Sequence, residues 1–178
     1  MMFEERLNFV SYTRKRIQVQ VMGENMLKVV AVGGTFDVMH KGHWFILEET
    51  FNVSEKVIIG ITTDEFASAH KTHPIDAYAN RFRDVTEWIA EKGFLERAEI
   101  VPLNDPFGPT IENDELEGIV VSEETEATAE IINKKRVGKG RKPLLIFVIT
   151  MVLADDGKPI SSTRIRKQEV DRYGHLIG

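Results

Sequence analysis

The sequence predicts an α/β fold of the Rossmann-like, doubly wound type, with one five-stranded parallel sheet in a single domain. Short, β-branched apolar runs alternate with longer helical patterns, which is typical of strand–helix–strand units with right-handed crossovers. The runs lack the polar alternation of half-exposed strands, so we expect helices on both faces of the sheet. The strand order expected for such a fold is 3-2-1-4-5, with ligands at the carboxyl ends of strands 1 and 4.

The strands are predicted from five short apolar runs. They are expected at 29–32, 56–61, 98–103, 118–121 and 144–149. The first run ends at Gly33-Gly34, which allow a sharp turn and a close approach to the backbone. A helix should follow, because Trp44, Leu47 and Phe51 recur at helical spacing.

Three further helices are expected between the later strands. Thr63 is placed to cap a short one. A long one should span 76–92, with an inner stripe of Tyr78, Phe82, Val85 and Ile89. Another should be capped by Ser122 and run from Glu123 to Arg136. The prolines and glycine of 104–109 predict a loop, and a turn is expected at 155–157.

Composition limits the possible functions. The 178 residues suffice for one domain with a substantial core. A net charge of −5 argues against a general nucleic-acid binder, so basic residues that meet phosphate must act locally. The lack of cysteine excludes disulfides, thiolate zinc sites and a cysteine nucleophile, and is consistent with a cytoplasmic protein. No apolar run approaches the ~18 residues that span a membrane, so no membrane partner is expected.

Residues 1–25 differ from the rest and are predicted to be an N-terminal appendage, either mobile or contributing an edge strand. The basic run Arg14-Lys15-Arg16 interrupts them, and no continuous apolar core of a signal peptide is present. The alternation of Ile17, Val19 and Val21 is what a short extra strand shows. The main domain is expected over residues 26–178.

A first anion-binding motif is indicated after strand 1. His40, Lys41 and His43 fall at the start of the predicted helix, where the partial positive charge of the dipole favours acidic side chains instead. A bound phosphate would account for them, because free N–H groups at a helix N-terminus attract anions. Gly42 keeps the turn bare, and the two histidines, three residues apart, can face one ligand. The alternative is a simple Gly-Gly turn with solvated histidines.

A second motif, Pro159-Ile-Ser-Ser-Thr-Arg-Ile-Arg-Lys167, repeats this unusual charge pattern. A hydroxyl at Ser161, Ser162 or Thr163 would cap a helix well. The basic side chains of Arg164, Arg166 and Lys167 again have the wrong sign for its first turns. Hydroxyls, N–H groups and guanidinium together bind polyphosphate well, whereas the alternative is an ordinary cap with exposed arginines.

Together these strings resemble a known family. Gly34-Thr-Phe-Asp-x-x-His-x-Gly-His43 and Ile160-Ser-Ser-Thr-x-x-Arg166 are similar to the two signatures of the nucleotidyltransferases with a His-x-Gly-His motif. Three further segments, 64–71, 102–109 and Val120-Val-Ser-Glu-Glu-Thr125, the last with Asn133 and Arg136 downstream, resemble the archaeal and eukaryotic phosphopantetheine adenylyltransferases. The resemblance covers roughly residues 27–172.

The resemblance implies transfer of AMP from ATP to 4′-phosphopantetheine, giving dephospho-coenzyme A and pyrophosphate. It implies catalytic roles for His40, His43, Lys71 and Arg166. It places ATP and its phosphates against Gly33, Gly34, Thr35, Phe36, Gly42, Ser122, Ser161, Ser162, Thr163 and Arg164. Mg²⁺ is expected to be carried by the triphosphate rather than by a protein cage.

Other interpretations remain open at this point. A cytidylyltransferase shares the first motif, although Ser161-Ser162-Thr163 departs from its usual second signature. A nicotinamide mononucleotide adenylyltransferase is disfavoured by Gly34-Thr35-Phe36-Asp37. The pairs His40/His43 and His70/His73 suggest zinc only weakly without a His-Glu-x-x-His string. A catalytically inactive nucleotide sensor would share the same fold.

Overall fold

The computed structural model describes residues 26–70 and 73–178. Its five strands form one parallel sheet in the order β3-β2-β1-β4-β5, so the predicted fold class and strand order are confirmed. The strands are β1 (Leu27–Gly34), β2 (Ser54–Thr62), β3 (Ala98–Leu103), β4 (Gly118–Ser122) and β5 (Leu145–Ile149). The helices are α1 (Lys41–Val53), α2 (Asp64–His70), α3 (Tyr78–Glu91), α4 (Glu126–Gly138) and α5 (Ser162–Arg166). The predicted appendage at 1–25, and Lys71, lie outside the described residues.

Both faces of the sheet are covered, as the continuous apolar strands predict. Alternate residues of β2 point to opposite sides, so Ile59 packs in one core with α1 and α3 while Ile58 packs in another with α4. Ile59 is completely buried, and burial of such a side chain contributes about 1.5–3 kcal/mol. The sheet is therefore a rigid layer from whose carboxyl edge the loops project.

The loop before β4 is tied to the end of α4 by Arg136, whose side chain is 1% exposed. One of its guanidinium nitrogens, Nη1, donates to the carbonyl oxygens of Thr110 (2.6 Å) and Asn113 (2.8 Å). Burial lowers the pKa of this arginine, and the three carbonyl acceptors, including Lys142 O at 2.8 Å from Nε, replace the lost water. Arg136 is thus structural rather than part of a solvated helix end.

The predicted cap of α4 is wrong. The helix begins at Glu126, with Thr125 at its N-cap, rather than after Ser122. The Ser122 N–H donates to Thr125 Oγ1 (3.1 Å) and the Thr125 N–H donates to Ser122 O (3.0 Å). A closed turn over 122–125 therefore already uses the Thr125 N–H, which a capping Ser122 hydroxyl would have bound.

The predicted inner stripe of α3 is also wrong at one position. Val85 and Ile89 are fully buried, but Phe82 is 39% exposed, and the neighbouring Arg81 is 1% exposed. The helix turns Arg81 inward because all three of its nitrogens find acceptors there. Nη1 donates to carbonyl oxygens at the ends of β1 and β2, Nη2 to the carboxylate of Asp64, and Nε to the carbonyl oxygen of Asp76. The buried guanidinium of Arg81, which has a hydrogen-bond partner at every nitrogen, thus takes the place that was predicted for the apolar side chain of Phe82.

No helix among residues 26–70 and 73–178 is long and apolar enough to cross a bilayer. In the same part of the chain, no three His, Asp or Glu side chains are grouped so that they could hold a metal ion.

Candidate active site at the carboxyl edge of β1

The backbone after β1 is strained. Phe36 and Val38 have positive φ angles of 52° and 46°, in the left-handed region that a β-branched valine rarely adopts. Each such residue costs about 1–3 kcal/mol and persists only where the surroundings enforce it. Here the side chains of Phe36 (2% exposed) and Met39 (3% exposed) anchor the loop in the core. Gly33 and Gly34 belong to β1 rather than to the predicted turn, and the loop that follows them is held in one shape against the start of α1.

The two histidines of the first motif lie together at the start of α1. His40 is the N-cap residue rather than part of the first turn, and its Nδ1 accepts from the N–H of Gly42 at 3.1 Å. The His43 ring stacks on the His40 ring, with centroids 3.8 Å apart and an interplanar angle of 27°. A Cβ at Gly42 would lie 2.9 Å from His40 Cε1, so only glycine lets this ring sit against the turn. The two imidazoles therefore lie against each other, and that both face one ligand stays a prediction.

The environment keeps His40 neutral. Burial lowers the pKa of His40 from 6.5 to about 4, and the positive charge of Arg172 acts in the same direction. The negative charge of Asp37 raises the pKa, but by less. Because Nδ1 accepts a hydrogen bond, the single proton of the neutral ring belongs on Nε2. At neutral pH this side chain is therefore a hydrogen-bond donor without a net charge.

Asp37 links the first motif to the second. Its side chain is nearly buried, and its two oxygens pair with the guanidinium of Arg166, at 3.0 Å from Nε to Oδ2 and 2.7 Å from Nη2 to Oδ1. Ser162 Oγ donates to the carbonyl oxygen of the same aspartate at 2.5 Å. These contacts join segments 125 and 129 residues apart in sequence.

A third segment, the loop between α2 and α3, closes against the same residues. The N–H of Asp76 donates to Asp37 Oδ1 at 3.0 Å, and its carboxylate lies 3.0 Å from Nη2 of Arg166. Nearby, His73 Nε2 lies 3.0 Å from Thr163 Oγ1. Three elements therefore meet at one cluster centred on Asp37: helix α5, the loop after β1, and the loop before α3.

Two more residues of the second motif, Ser161 and Arg164, have partners within the chain. Ser161 caps α5 by accepting from the N–H of Arg164 at 3.3 Å, as predicted for one of the three hydroxyls. The guanidinium of Arg164 pairs with Asp156 at 2.7 Å and with Glu169 at 3.0 Å. Arg164 and Arg166, whose sign is unfavourable at a helix N-terminus, are therefore both paired with carboxylates of the chain, and a phosphate contact of either stays a prediction.

Among the described residues, no hydrogen bond or ion pair joins Ser122 to this cluster; Lys71 lies outside them. Ser122 ends β4, two residues beyond the Val32–Val120 pair, so it lies level with Gly34 on the neighbouring strand. Its hydroxyl is 3.2 Å from Thr125 Oγ1.

Sequence reasoning missed three residues of the site: Asp37, Asp76 and Arg81. Arg81 donates to Thr35 O and Thr62 O, both at 2.8 Å, and so holds the ends of β1 and β2 together. It also donates to Asp64 Oδ1 at 2.9 Å and to Asp76 O at 2.7 Å. The sequence did contain a signal for Asp37, which stands alone between the hydrophobic residues Phe36 and Val38. A carboxylate that is buried in such a place needs a cationic partner.

Comparison with known proteins shows to which class of protein the chain belongs. Residues 31–168 match the Cytidylyltransferase-like family, a range that includes both motifs and the whole sheet apart from the start of β1. The fold, the stacked histidines and the joined motifs thus belong to a nucleotidyltransferase of that class. Two relatives are phosphopantetheine adenylyltransferases from Methanothermobacter thermautotrophicus (48% identical over 149 residues, 84% of this chain and 89% of that protein) and Methanosarcina mazei (47% over 150 residues, 83% and 96%). The chain therefore belongs to the phosphopantetheine adenylyltransferase family.

Solved structures agree on the fold. A protein of unknown function from Archaeoglobus fulgidus superposes with a TM-score of 0.62 and 34% identity, covering 67% of this chain and 87% of that one. Tyrosyl-tRNA synthetase from the same organism superposes with a TM-score of 0.60 over 82% of this chain and 62% of its own, at 12% identity, and shows the fold alone.

Proposed function

We propose that this protein transfers AMP from ATP to 4′-phosphopantetheine, forming dephospho-coenzyme A and pyrophosphate in the cytoplasm. The observation that carries the proposal is the identity of 48% with a phosphopantetheine adenylyltransferase over 149 residues, which are 84% of this chain. The meeting of the two motifs at Asp37 supports it, because a triphosphate must be held from more than one side while its α-phosphate reacts.

The reaction needs alignment and charge stabilisation more than acid–base chemistry. The acceptor phosphate is already an anionic nucleophile, so its oxygen attacks the α-phosphorus in line, and the bond from that phosphorus to the pyrophosphate oxygen breaks. No covalent intermediate with the protein is required. The site must then neutralise charge that develops on the α-phosphate and the leaving pyrophosphate.

In this proposal the two histidines act on the transferred phosphate. Neutral His40 donates from Nε2, and its tautomer is set by the hydrogen bond from Gly42 N–H to Nδ1. His43, stacked against it, contacts the same group and donates to it in the transition state. A neutral donor suits a site that must also release an anionic product, because it binds phosphate less tightly in the ground state than an imidazolium does.

The β- and γ-phosphates would lie between the loop after β1 and α5. The backbone of Gly33, Gly34, Thr35 and Phe36 would approach the nucleotide, and Arg166 would donate to the leaving pyrophosphate. Ser162 Oγ already donates its proton to Asp37 O, so this segment would meet phosphate mainly through the backbone N–H groups of Ser162 and Thr163. For Ser161, Ser122 and Arg164 a contact with ATP remains a proposal, and so does a bridge by Lys71 between the acceptor phosphate and the α-phosphate.

Mg²⁺ would accompany ATP and help to neutralise the triphosphate charge. The carboxylates of Asp37 and Asp76 are paired with Arg166, and this pairing leaves them poorly placed to form a protein cage for the ion. The structure therefore fits an ion bound mainly by phosphate and water.

A turnover assay tests the proposal. The purified protein, with ATP, Mg²⁺ and 4′-phosphopantetheine, should form dephospho-coenzyme A and pyrophosphate, and CTP should support little reaction. The His43→Ala variant, prepared in parallel, controls for contaminating activity. Comparable turnover with CTP would instead make the protein a cytidylyltransferase, and tight ATP binding without turnover of any phosphomonoester would make it a nucleotide sensor.

A further inference from the structure

Asp37 is a charged side chain in an unusual place. It is 3% exposed, at the tip of a strained loop, between Phe36 and Val38 with their positive φ angles. Burial alone raises the pKa of its carboxyl, but the hydrogen bonds from Arg166 and from the N–H of Asp76 outweigh that effect and leave the pKa below its usual value. The group is therefore an anion inside the protein, and a buried anion requires fixed partners.

The pairing with Arg166 uses one particular edge of the guanidinium. Nε and Nη2 face the two carboxylate oxygens of Asp37, which is the side-on bidentate geometry that aligns both planes. Nη1, the third nitrogen, makes no hydrogen bond to the residues that the structure describes. The Arg166 side chain is 28% exposed, and Nη1 is the nitrogen that keeps its donors for a ligand.

We propose that Asp37 is a positioning residue: it fixes the Nε–Nη2 edge of Arg166 so that Nη1 meets the leaving pyrophosphate of the nucleotide. Asp37 itself touches no substrate, since an anion would repel phosphate, and it acts through Arg166 alone. The proposal rests on the proposed function. It gives a role to an acidic residue of the first motif, although an acidic side chain would not itself bind phosphate.

A second carboxylate on the same guanidinium provides an internal contrast. Asp76 lies 3.0 Å from Nη2 of Arg166, but its side chain is 44% exposed, against 4% for Asp37. It adds negative charge on the solvent side without enforcing the bidentate alignment. Removal of its charge should therefore favour the binding of a polyphosphate, whereas removal of the Asp37 charge should impair it.

The experiment compares Asp37→Asn, Asp76→Asn and Arg166→Gln, together with the double variant Asp37→Asn/Arg166→Gln. Calorimetry gives the dissociation constants of MgATP and of pyrophosphate, and steady-state kinetics give kcat and KM separately. Asparagine keeps the shape of Asp37 and an oxygen for the Asp76 N–H. Its NH2 group takes the place of the oxygen that accepts from Nε of Arg166, so the change removes the charge and the bidentate pairing together. Thermal melts identify which variants are folded at the assay temperature.

Asp37→Asn should weaken MgATP and pyrophosphate binding by about 10- to 100-fold, as expected when a phosphate-binding group is misplaced by about 1 Å. Asp76→Asn should bind both ligands equally well or up to about threefold more tightly. In the Arg166→Gln background, Asp37→Asn should change binding by less than about twofold, because the residue through which it acts is gone. If Asp37 were only structural, Asp37→Asn would lower the stability of the protein, and its effect on ligand binding would not depend on whether Arg166 is present.

Arg166→Gln leaves Asp37 buried without its cation, which is costly. If that variant does not fold, Arg166→Lys replaces it in the same cycle, since lysine keeps the charge but lacks the planar fork. Equal losses from Asp37→Asn in both backgrounds, or an unchanged affinity of the single variant, would overturn the proposal. If the wild-type protein binds MgATP and forms no dephospho-coenzyme A, the proposed function fails, while the binding cycle still decides the role of Asp37.

Discussion

Acidification from about pH 7 to pH 5 should destabilise this protein through His40, which the fold holds neutral. Its pKa is lowered from 6.5 to about 4 by burial and by the charge of Arg172. The unfolded chain takes up a proton at the ordinary pKa, so between pH 6.5 and pH 4 the unfolded state binds more protons than the folded state. The stability that His40 contributes is therefore complete above the unfolded pKa and is lost as the pH falls toward the folded one.

The magnitude follows from the shift. A difference of about 2.5 pH units (6.5 minus 4) corresponds to roughly 3 kcal/mol, of which about 2 kcal/mol is lost between pH 7 and pH 5. Urea unfolding at a series of pH values measures it, with His40→Asn as the reference. Asparagine is a good N-cap and can still accept from the N–H of Gly42, but it does not titrate.

The difference between the two pH profiles isolates His40, because Asp37 and the other carboxylates contribute to both proteins. The free energy of unfolding of the wild-type protein should fall more steeply than that of His40→Asn below about pH 6.5. Parallel profiles from pH 8 to pH 5 would refute the reasoning. They would mean that the pKa of His40 is the same in the folded and the unfolded protein, and the conclusion that the fold keeps this ring neutral would fail with it.

Two further substitutions test the first motif. His43→Ala should lower kcat by about 10²–10³-fold while MgATP affinity changes much less, and a collapse of affinity with an unchanged kcat would make His43 a ground-state contact instead. Gly42→Ala should lower kcat at least about tenfold although alanine favours helix, because its Cβ would displace the His40 ring at 2.9 Å. Gly138→Ala, whose Cβ would meet nothing within 4 Å, is the matched control and should leave kcat unchanged.

The strand order was predictable because apolar periodicity and chain connectivity decide it. Runs such as Val57-Ile58-Ile59 bury both faces, which leaves a parallel sheet covered by helices as the stable arrangement. The boundaries were less predictable, as the start of α4 shows. Ser122 and Thr125 are both good capping residues, and a hydrogen bond between them, rather than intrinsic preference, selects Thr125 as the N-cap.

The inner face of α3 shows a different limit. Phe82 fits an apolar stripe and Arg81 does not, yet the arginine is the buried one. Its burial depends on acceptors from the ends of β1 and β2 and from Asp64, which come together only in the folded chain. Local patterns carry no information about such partners.

The anion-binding motifs were visible in sequence because histidine, glycine and hydroxyl residues at short spacing report local chemistry. The position of the second motif relative to the first is not local. In the order β3-β2-β1-β4-β5, β5 lies two strands from β1, which is roughly 10 Å, so the segment after β5 must return across β4 before Arg166 can reach the loop after β1. The hydrogen bonds of Asp37 with Ser162 and Arg166 hold the returning segment against the loop after β1. The sheet therefore positions the histidines directly, whereas the arginine depends on one buried carboxylate for its place, and this is why a substitution at Asp37 should act on the second motif rather than on the first.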